Sequence, residues 1–429
     1  MTRSRLPLTP TPLMDEADFM RWHHQQAFDR EDWWLDLPAQ STPVWTRLPD
    51  KPGWGGLHFY WCADQEPVPA QVCIEVDSHT AHPLLAQTLM HRLAETRVWY
   101  WRTELPLDWL GSYQFIPLQF AHQRPQAASG AVLRQWWQAL LAQYAQADNL
   151  NPYPAYLSSW GREQAQLIGP AAQSVVKRTR SEAGSAITLN LRDACWESPS
   201  MATRYCYSYG AISDFRVAQY LVLHLDGQLW QNMPGYLTAL ADLHQQAHSA
   251  PALHVLLASG NSAQRARDYG CSPQFIYALA QEFIPHLRQQ LALTEDVPVI
   301  LCGQSLGGLC AVYAALSLPE QFPNVLALSG SYWWPDVANE VDQGMLAEML
   351  KQRGVSAGGG RFWLAAGDEE SDMRERSRVM AGLLQQAGYQ SVYHEFRGGH
   401  DRVCWREAQL QGLASLLQGV GPRPLNASQ

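Results

Sequence analysis

The sequence predicts a two-part chain of α/β class. A doubly wound, mostly parallel sheet is expected in the C-terminal part, preceded by a smaller β-sandwich-like part. Three observations predict this. From about residue 200 onward, short apolar runs alternate with helical segments, the pattern of repeated βα units. Before about residue 120, short β-like runs are punctuated by Pro and Gly at the spacing of a sandwich. A length of 429 residues is long for one domain and comfortable for two. The boundary is placed at 180, giving 1–180 as a binding or lid domain with a helical connector and 181–429 as the catalytic domain.

In order, residues 1–30 read as a leader and a short helix opened by Asp15-Glu16-Ala17-Asp18. Strands are expected at 57–62, 72–76, 97–102 and 113–117, and a helix carrying Trp136 and Trp137 at 131–146. Residues 149–154 form a turn cluster and 158–184 a connector. Beyond it, strands are expected at 203–209, 220–225, 252–258, 297–302, 325–329, 362–366 and 391–396. Helices are expected at 235–248, 273–293, 306–316, 343–351, 374–387 and 402–417.

Composition narrows the function. Hydrophobic residues make up 46% of the chain and charged residues 17%, enough for a substantial core. A formal net charge of −9 argues against non-specific nucleic-acid binding. Eighteen tryptophans exceed what cores ordinarily use, and such a surplus suits a pocket for a flat aromatic ligand. The eight cysteines are scattered without a C-x-x-C, which reads as a reduced intracellular set rather than a disulfide or zinc framework. Pro7, Pro10 and Pro12 interrupt the N-terminus and no long apolar run follows. A cytoplasmic protein with no membrane span is expected.

The chemistry centres on Gly303-Gln304-Ser305-Leu306-Gly307, a G-x-S-x-G pattern between a buried strand and an Ala/Leu-rich helix. This is the setting of a nucleophile elbow, with Ser305 as the nucleophile in a strained turn. A side chain at Gly303 or Gly307 is expected to collide with nearby backbone, while Gly308 permits close helix–strand packing. In an α/β-hydrolase domain the order is serine, acid, histidine, each after a strand. Only His394 and His400 follow Ser305. His394 falls inside the last strand, whereas His400 follows Gly398-Gly399 in a loop, so His400 is the expected base. The acid is expected within Gly367-Asp-Glu-Glu-Ser-Asp372. Glu370 is favoured, with Asp368 and Asp372 as alternatives whose other role is to complement a helix dipole. Leu306 and Gln228 are the expected oxyanion N–H donors, with Gly227 letting the backbone turn inward.

Several segments resemble the enterochelin (ferric enterobactin) esterase family: Gly303-Gln-Ser-Leu-Gly-Gly308, Leu328-Ser-Gly-Ser-Tyr-Trp-Trp-Pro335, Gly398-Gly-His-Asp-Arg-Val-Cys-Trp405 and Leu225-Asp-Gly-Gln-Leu-Trp230. Residues 96–105 and 111–117 are similar to the family's sandwich domain. The resemblance implies a cytoplasmic serine esterase that opens the trilactone of a catecholate siderophore, ferric or apo, so that iron can be released. It implies no cofactor and no resident metal, since any iron arrives with the substrate. The acid loop departs from the family pattern in detail, although a glutamate three past the glycine matches. A bulky aromatic trianion suits arginines and tryptophans after strand ends, here Arg265, Arg267, Trp230, Trp333 and Trp334. The competing enzyme reading is a serine esterase acting on carbohydrate-linked or other aryl and acyl esters. The competing non-enzyme reading is a degenerate hydrolase fold used for binding.

Overall fold

The computed structural model describes residues 13–30, 32–37, 42–64, 67–80, 85–119, 125, 130–158, 161–172, 188–245, 249–336, 340–353 and 359–418. The chain separates into two compact units, Met1–Val176 with Arg397–Cys404, and Lys177–Phe396 with Trp405–Gln429. The expected boundary at 180 lies outside the described residues. The assignment of Arg397–Cys404 to the first unit has no counterpart in the sequence pattern.

The first unit contains two sheets. Strands β1 (Leu13–Asp15), β2 (Val44–Arg47), β3 (Trp54–Cys62), β4 (Gln71–Val76), β5 (His91–Arg92), β6 (Val98–Pro106), β7 (Leu110–Leu118), β8 (Tyr156–Leu157) and β9 (Glu163–Ile168) pair in the orders β1-β2-β3-β6-β5 and β4-β7-β9-β8. Leu57, Phe59 and Trp99 from the first sheet share one core with Ile74, Phe115 and Leu167 from the second. The sheets therefore pack face to face as a sandwich. Strand β9 falls where a connector was expected. Gln164 and Gln166 hide a strand signal that pairing with β7 supplies. The helix Glu16–Gln25 opens at Asp15, whose carboxylate accepts from the N–H groups of Ala17 and Asp18. The helix Gly130–Tyr144 lays Trp137, Leu140 and Leu141 against Cys73, Ile116 and Leu118.

The second unit contains strands β10 (Arg192–Ser198), β11 (Thr203–Gly210), β12 (Tyr220–His224), β13 (Ala252–Leu257), β14 (Val299–Gln304), β15 (Asn324–Leu328), β16 (Arg361–Gly367) and β17 (Gln390–Phe396), in the order β10-β11-β13-β12-β14-β15-β16-β17. Strand β11 is antiparallel to both neighbours, and the pairs from β13 to β17 are parallel. This is the mostly parallel sheet that the repeated βα pattern predicts. Strands β12, β13, β14 and β15 are buried along their lengths, apart from half-buried Tyr220, as helices on both faces require. Strand β10 escaped the sequence reading because Arg192, Asp193 and Glu197 break its apolar pattern. The single helix expected at 273–293 is instead Pro273–Ala278, a π-turn at Leu279–Phe283, and Ile284–Leu291. Pro285 explains the change: it cannot donate to the preceding turn and its ring needs the wider coil.

The tryptophan surplus is largely structural. Trp33, Trp45, Trp99, Trp109, Trp137 and Trp230 are fully buried. No described helix is long and apolar enough to cross a membrane.

The interior of the second unit holds a chain of histidines. His224 Nε2 lies 2.9 Å from His254 Nδ1, and His254 Nε2 lies 2.7 Å from His244 Nε2. The Gln409 amide donates to His224 Nδ1 at 2.8 Å. Burial lowers the His224 pKa to about 3 and holds His254 and His244 below the usual value. In the unfolded chain these imidazoles take up protons below about pH 6.5. Unfolding therefore binds protons between pH 6.5 and 3, and stability must fall as pH falls through that window. Each such histidine contributes a slope of up to about 1.4 kcal/mol per pH unit. Urea midpoints measured from pH 7.5 to 4.5 should decline steadily below pH 6.5; a flat or rising profile would refute neutral, buried histidines.

Candidate active site

Strand β14 ends at Gln304, and Ser305 follows with φ 58° and ψ −121° before the helix Leu306–Ser317. A serine in this region is strained, and its neighbours hold it there. Its N–H donates to Leu328 O at 2.9 Å, and its carbonyl accepts from Ser331 N at 3.0 Å. The Ser331 hydroxyl lies 3.4 Å from Ser305 Oγ. The glycines divide their work unequally. A Cβ on Gly303 would sit 2.2 Å from Gly307 O, so that position admits no side chain. A Cβ on Gly307 would meet nothing closer than 3.5 Å, which corrects the expectation of a collision there. A Cβ on Gly308 would press to 3.2 Å on Gly330 Cα, consistent with close helix–strand packing.

Beneath the elbow lies a charged support. Asp226 (φ 56°) is fully buried. Arg265 binds it through Nε and Nη2, each at 2.8 Å, and the Gln304 amide donates to it at 3.0 Å. Trp230 Nε1 donates to Gln304 Oε1 at 3.2 Å. Arg265 and Trp230, expected to touch a ligand, each hold an internal partner. The guanidinium neutralises a buried carboxylate, and the indole is 1% exposed. Arg265 also sits on the helix Ser262–Tyr269, not on a loop. Removing one partner of a buried ion pair strands the other charge. Arg265→Ala should therefore cost roughly 3 kcal/mol of stability. Chemical denaturation checks this; unchanged stability with a raised KM would contradict it and favour a ligand role.

Glu370 is the buried acid of its loop, at 7% exposure, and caps the entry to the helix Ser371–Gln386. Its Oε1 accepts from Gly367 N at 2.9 Å and from the Ser329 hydroxyl at 2.5 Å. Trp405 Nε1 donates to that same hydroxyl at 2.9 Å. A carboxylate held this way has one orientation. The alternatives sit differently: Asp372 is exposed and pairs with Arg376 at 2.8 Å, and Asp368 is half-buried.

His400 is exposed on the loop between β17 and the helix Arg402–Leu417. Its backbone N–H donates to Ser78 Oγ at 3.1 Å, and that hydroxyl donates to Asp77 at 2.7 Å. A Cβ on Gly399 would land 1.8 Å from Ser78 Oγ, so the glycine lets the loop close on Ser78. Asp77 is pushed up to about 8 by burial, with Asp401 and Glu75 adding to the shift. His394 lies on β17 and stacks on Trp363 with ring centroids 4.8 Å apart.

Leu306 is the first residue of its helix and Gln228 the second of the helix Gly227–Gln231. N–H groups at these positions have no partner within their helices. The Gln228 side chain is fixed on Ser259, donating to Oγ at 2.8 Å and accepting from N at 3.1 Å. Gly227 is required because a Cβ would sit 2.2 Å from the Leu256 carbonyl carbon. Arg267 is half-exposed and pairs with Asp268 at 2.7 Å. Trp333 and Trp334 follow β15, half-buried, with ring centroids 6.0 Å apart.

Strands β14, β16 and β17 run parallel within the second unit, so their C-terminal ends at Gln304, Gly367 and Phe396 lie on one side of the sheet. Sequence reasoning missed Ser329, Ser331, Trp405, Asp226 and Ser78. The first four lie in the segments that carried the resemblance and could have been assigned from them. Ser78 lies in the turn after β4 with φ 58° and gives no sequence signal.

Residues 57–177 match the family model described as enterochelin esterase, N-terminal, and residues 217–416 match the putative esterase model. The chain is 31% identical over 402 residues to an iron(III) enterobactin esterase of Escherichia coli (strain K12), spanning 90% of this chain and 96% of that protein. It superposes on the ferric enterobactin esterase of Salmonella typhimurium with a TM-score of 0.78 at 30% identity, covering 91% of this chain and 99% of that one. The enterobactin esterase of Shigella flexneri, crystallised in the presence of enterobactin, gives a TM-score of 0.76 at 29% identity, covering 91% and 98%.

Proposed function

Since the chain belongs to the enterobactin esterase family, we propose that it hydrolyses the trilactone of a catecholate siderophore with Ser305 as nucleophile, His400 as base and Glu370 as the acid that orients the base. The observation that carries this reading is the backbone of Ser305, held at φ 58° and ψ −121° between a buried strand and a helix. A turn of that kind presents the hydroxyl while the backbone is spent on other bonds.

The reaction runs in two halves. His400 accepts the Ser305 proton as Oγ attacks an ester carbonyl, and a tetrahedral oxyanion forms. The N–H groups of Leu306 and Gln228 stabilise that charge. Collapse expels the alkoxide of the ring, which takes the proton from His400, leaving a linear acyl-enzyme. Water then gives its proton to His400 and attacks the acyl carbon; as the imidazolium returns a proton to Ser305 Oγ, the linear trimer leaves as a hydroxy acid with two esters remaining. Repetition on the remaining esters yields shorter fragments. Fixed by Ser329 and Gly367, the Glu370 carboxylate stabilises the imidazolium in each half. Iron enters only as part of the substrate. Arg267, Trp333 and Trp334 are the side chains best suited to its catecholate rings and negative charge. The compartment that fits this substrate, and the reduced cysteine set, is the cytoplasm.

Incubating the protein with the cyclic trilactone and following products by mass should give the linear trimer, then dimer and monomer. Intact ring after full incubation, with rapid cleavage of a simple aryl ester, would overturn the substrate assignment. Glu370→Gln should lower kcat by several powers of ten with little change in KM, because the lost charge acts on the imidazolium. Asp372→Asn should stay within a few-fold of wild type. A dead Asp372→Asn beside an active Glu370→Gln would move the acid two residues along.

A further inference from the structure

Cys195 on β10 and Cys206 on β11 face each other across the antiparallel ladder, with Sγ atoms 2.9 Å apart. Both are exposed. The other six cysteines are not: Cys62 is half-buried, and Cys73, Cys271, Cys302, Cys310 and Cys404 are buried. Burial pushes the Cys73 thiol up to about 11 and the Cys271 thiol up to about 12, which keeps both protonated. At the exposed pair the environment differs. Cys206 and Arg204, both beside Cys195, hold its thiol below the usual range. The sequence pattern read as scattered cysteines, because eleven positions separate these two and only the strand register brings them together.

We infer that Cys195 and Cys206 form a redox-switchable thiol pair, a site of reversible disulfide formation driven by low-molecular-weight disulfides such as glutathione disulfide. The Cys195 thiolate, stabilised by Arg204, attacks one sulfur of the small disulfide and releases one small thiol, forming a mixed disulfide. The Cys206 thiolate then attacks the Cys195 sulfur and releases the second small thiol. Two protein thiols are oxidised and one small disulfide is reduced to two thiols, so electrons and protons balance. The sulfurs need close by only about 1 Å to reach bonding distance. The bond would tie β10, the outermost strand, to β11. Strands β13 and β12 separate β11 from β14, which leads to Ser305, so the switch is distinct from the ester-cleaving site.

The test equilibrates the full chain against glutathione and glutathione disulfide at stepped ratios, quenches by alkylation, and reads intact mass and peptide map. The expected product carries six alkyl groups instead of eight and a Cys195–Cys206 cross-link, and returns to eight alkylated thiols with dithiothreitol. It should also melt a few degrees higher, because the unfolded chain is constrained. Cys206→Ser should stop at one glutathione on Cys195, which keeps the inference testable if the double variant folds poorly. Eight alkylated thiols under fully oxidising conditions would overturn the proposal. So would a stable glutathione adduct on the wild-type chain without an internal cross-link.

Discussion

Ser305→Ala is expected to lower kcat for ester hydrolysis by roughly five to six orders of magnitude, or about 7–8 kcal/mol of transition-state stabilisation. In the proposed mechanism the hydroxyl oxygen is the atom that bonds to the acyl carbon, and no neighbouring group takes over at that position. Ser331 is nearby, with its hydroxyl 3.4 Å from Ser305 Oγ, but its N–H is spent on the Ser305 carbonyl and its backbone is not in the elbow. The fold should survive, because the positive φ is enforced by bonds from Leu328 and Ser331 to backbone atoms that alanine retains. Circular dichroism and substrate affinity should therefore match wild type. Activity within tenfold of wild type would remove Ser305 from the mechanism.

The second large effect is at the base. His400→Ala should lose three or more orders of magnitude in kcat, because in the proposed mechanism every proton transfer in both halves passes through that ring. Added imidazole should restore part of the rate, as expected when a cavity replaces an exposed catalytic ring. His394→Ala is the control. That ring stacks on Trp363 within β17, so its loss should lower stability modestly and leave kcat within a few-fold. A dead His394→Ala beside an active His400→Ala would place the base on the strand.

Much of the second unit was legible in the sequence because its strands are buried on both faces and read as continuous apolar runs. The elbow was legible for the same reason: strand, glycine-flanked serine and helix occur within a dozen residues. Glu370 was proposed from its distance past Gly367; it is buried, whereas Asp372 is exposed and paired with Arg376. What escaped depends on long-range partners. Strands β9 and β10 carry polar side chains whose strand character comes from pairing with β7 and β11. The internal partners of Arg265 and Trp230 were hidden because Asp226 and Gln304 lie dozens of residues away in sequence. The bond from His400 to Ser78 spans 322 positions, and no local pattern could announce it. The sandwich reading captured the shape of the first unit but not that one of its turns holds the histidine loop.

The most direct test of Ser305 as the nucleophile of trilactone hydrolysis is covalent titration with a fluorophosphonate, followed by peptide mapping and an assay on the cyclic trilactone. One equivalent should attach, the label should map to Ser305, and trilactone cleavage should fall in proportion to labelling. A fully labelled protein that still opens the ring, or a stoichiometric label on a different residue, would contradict it.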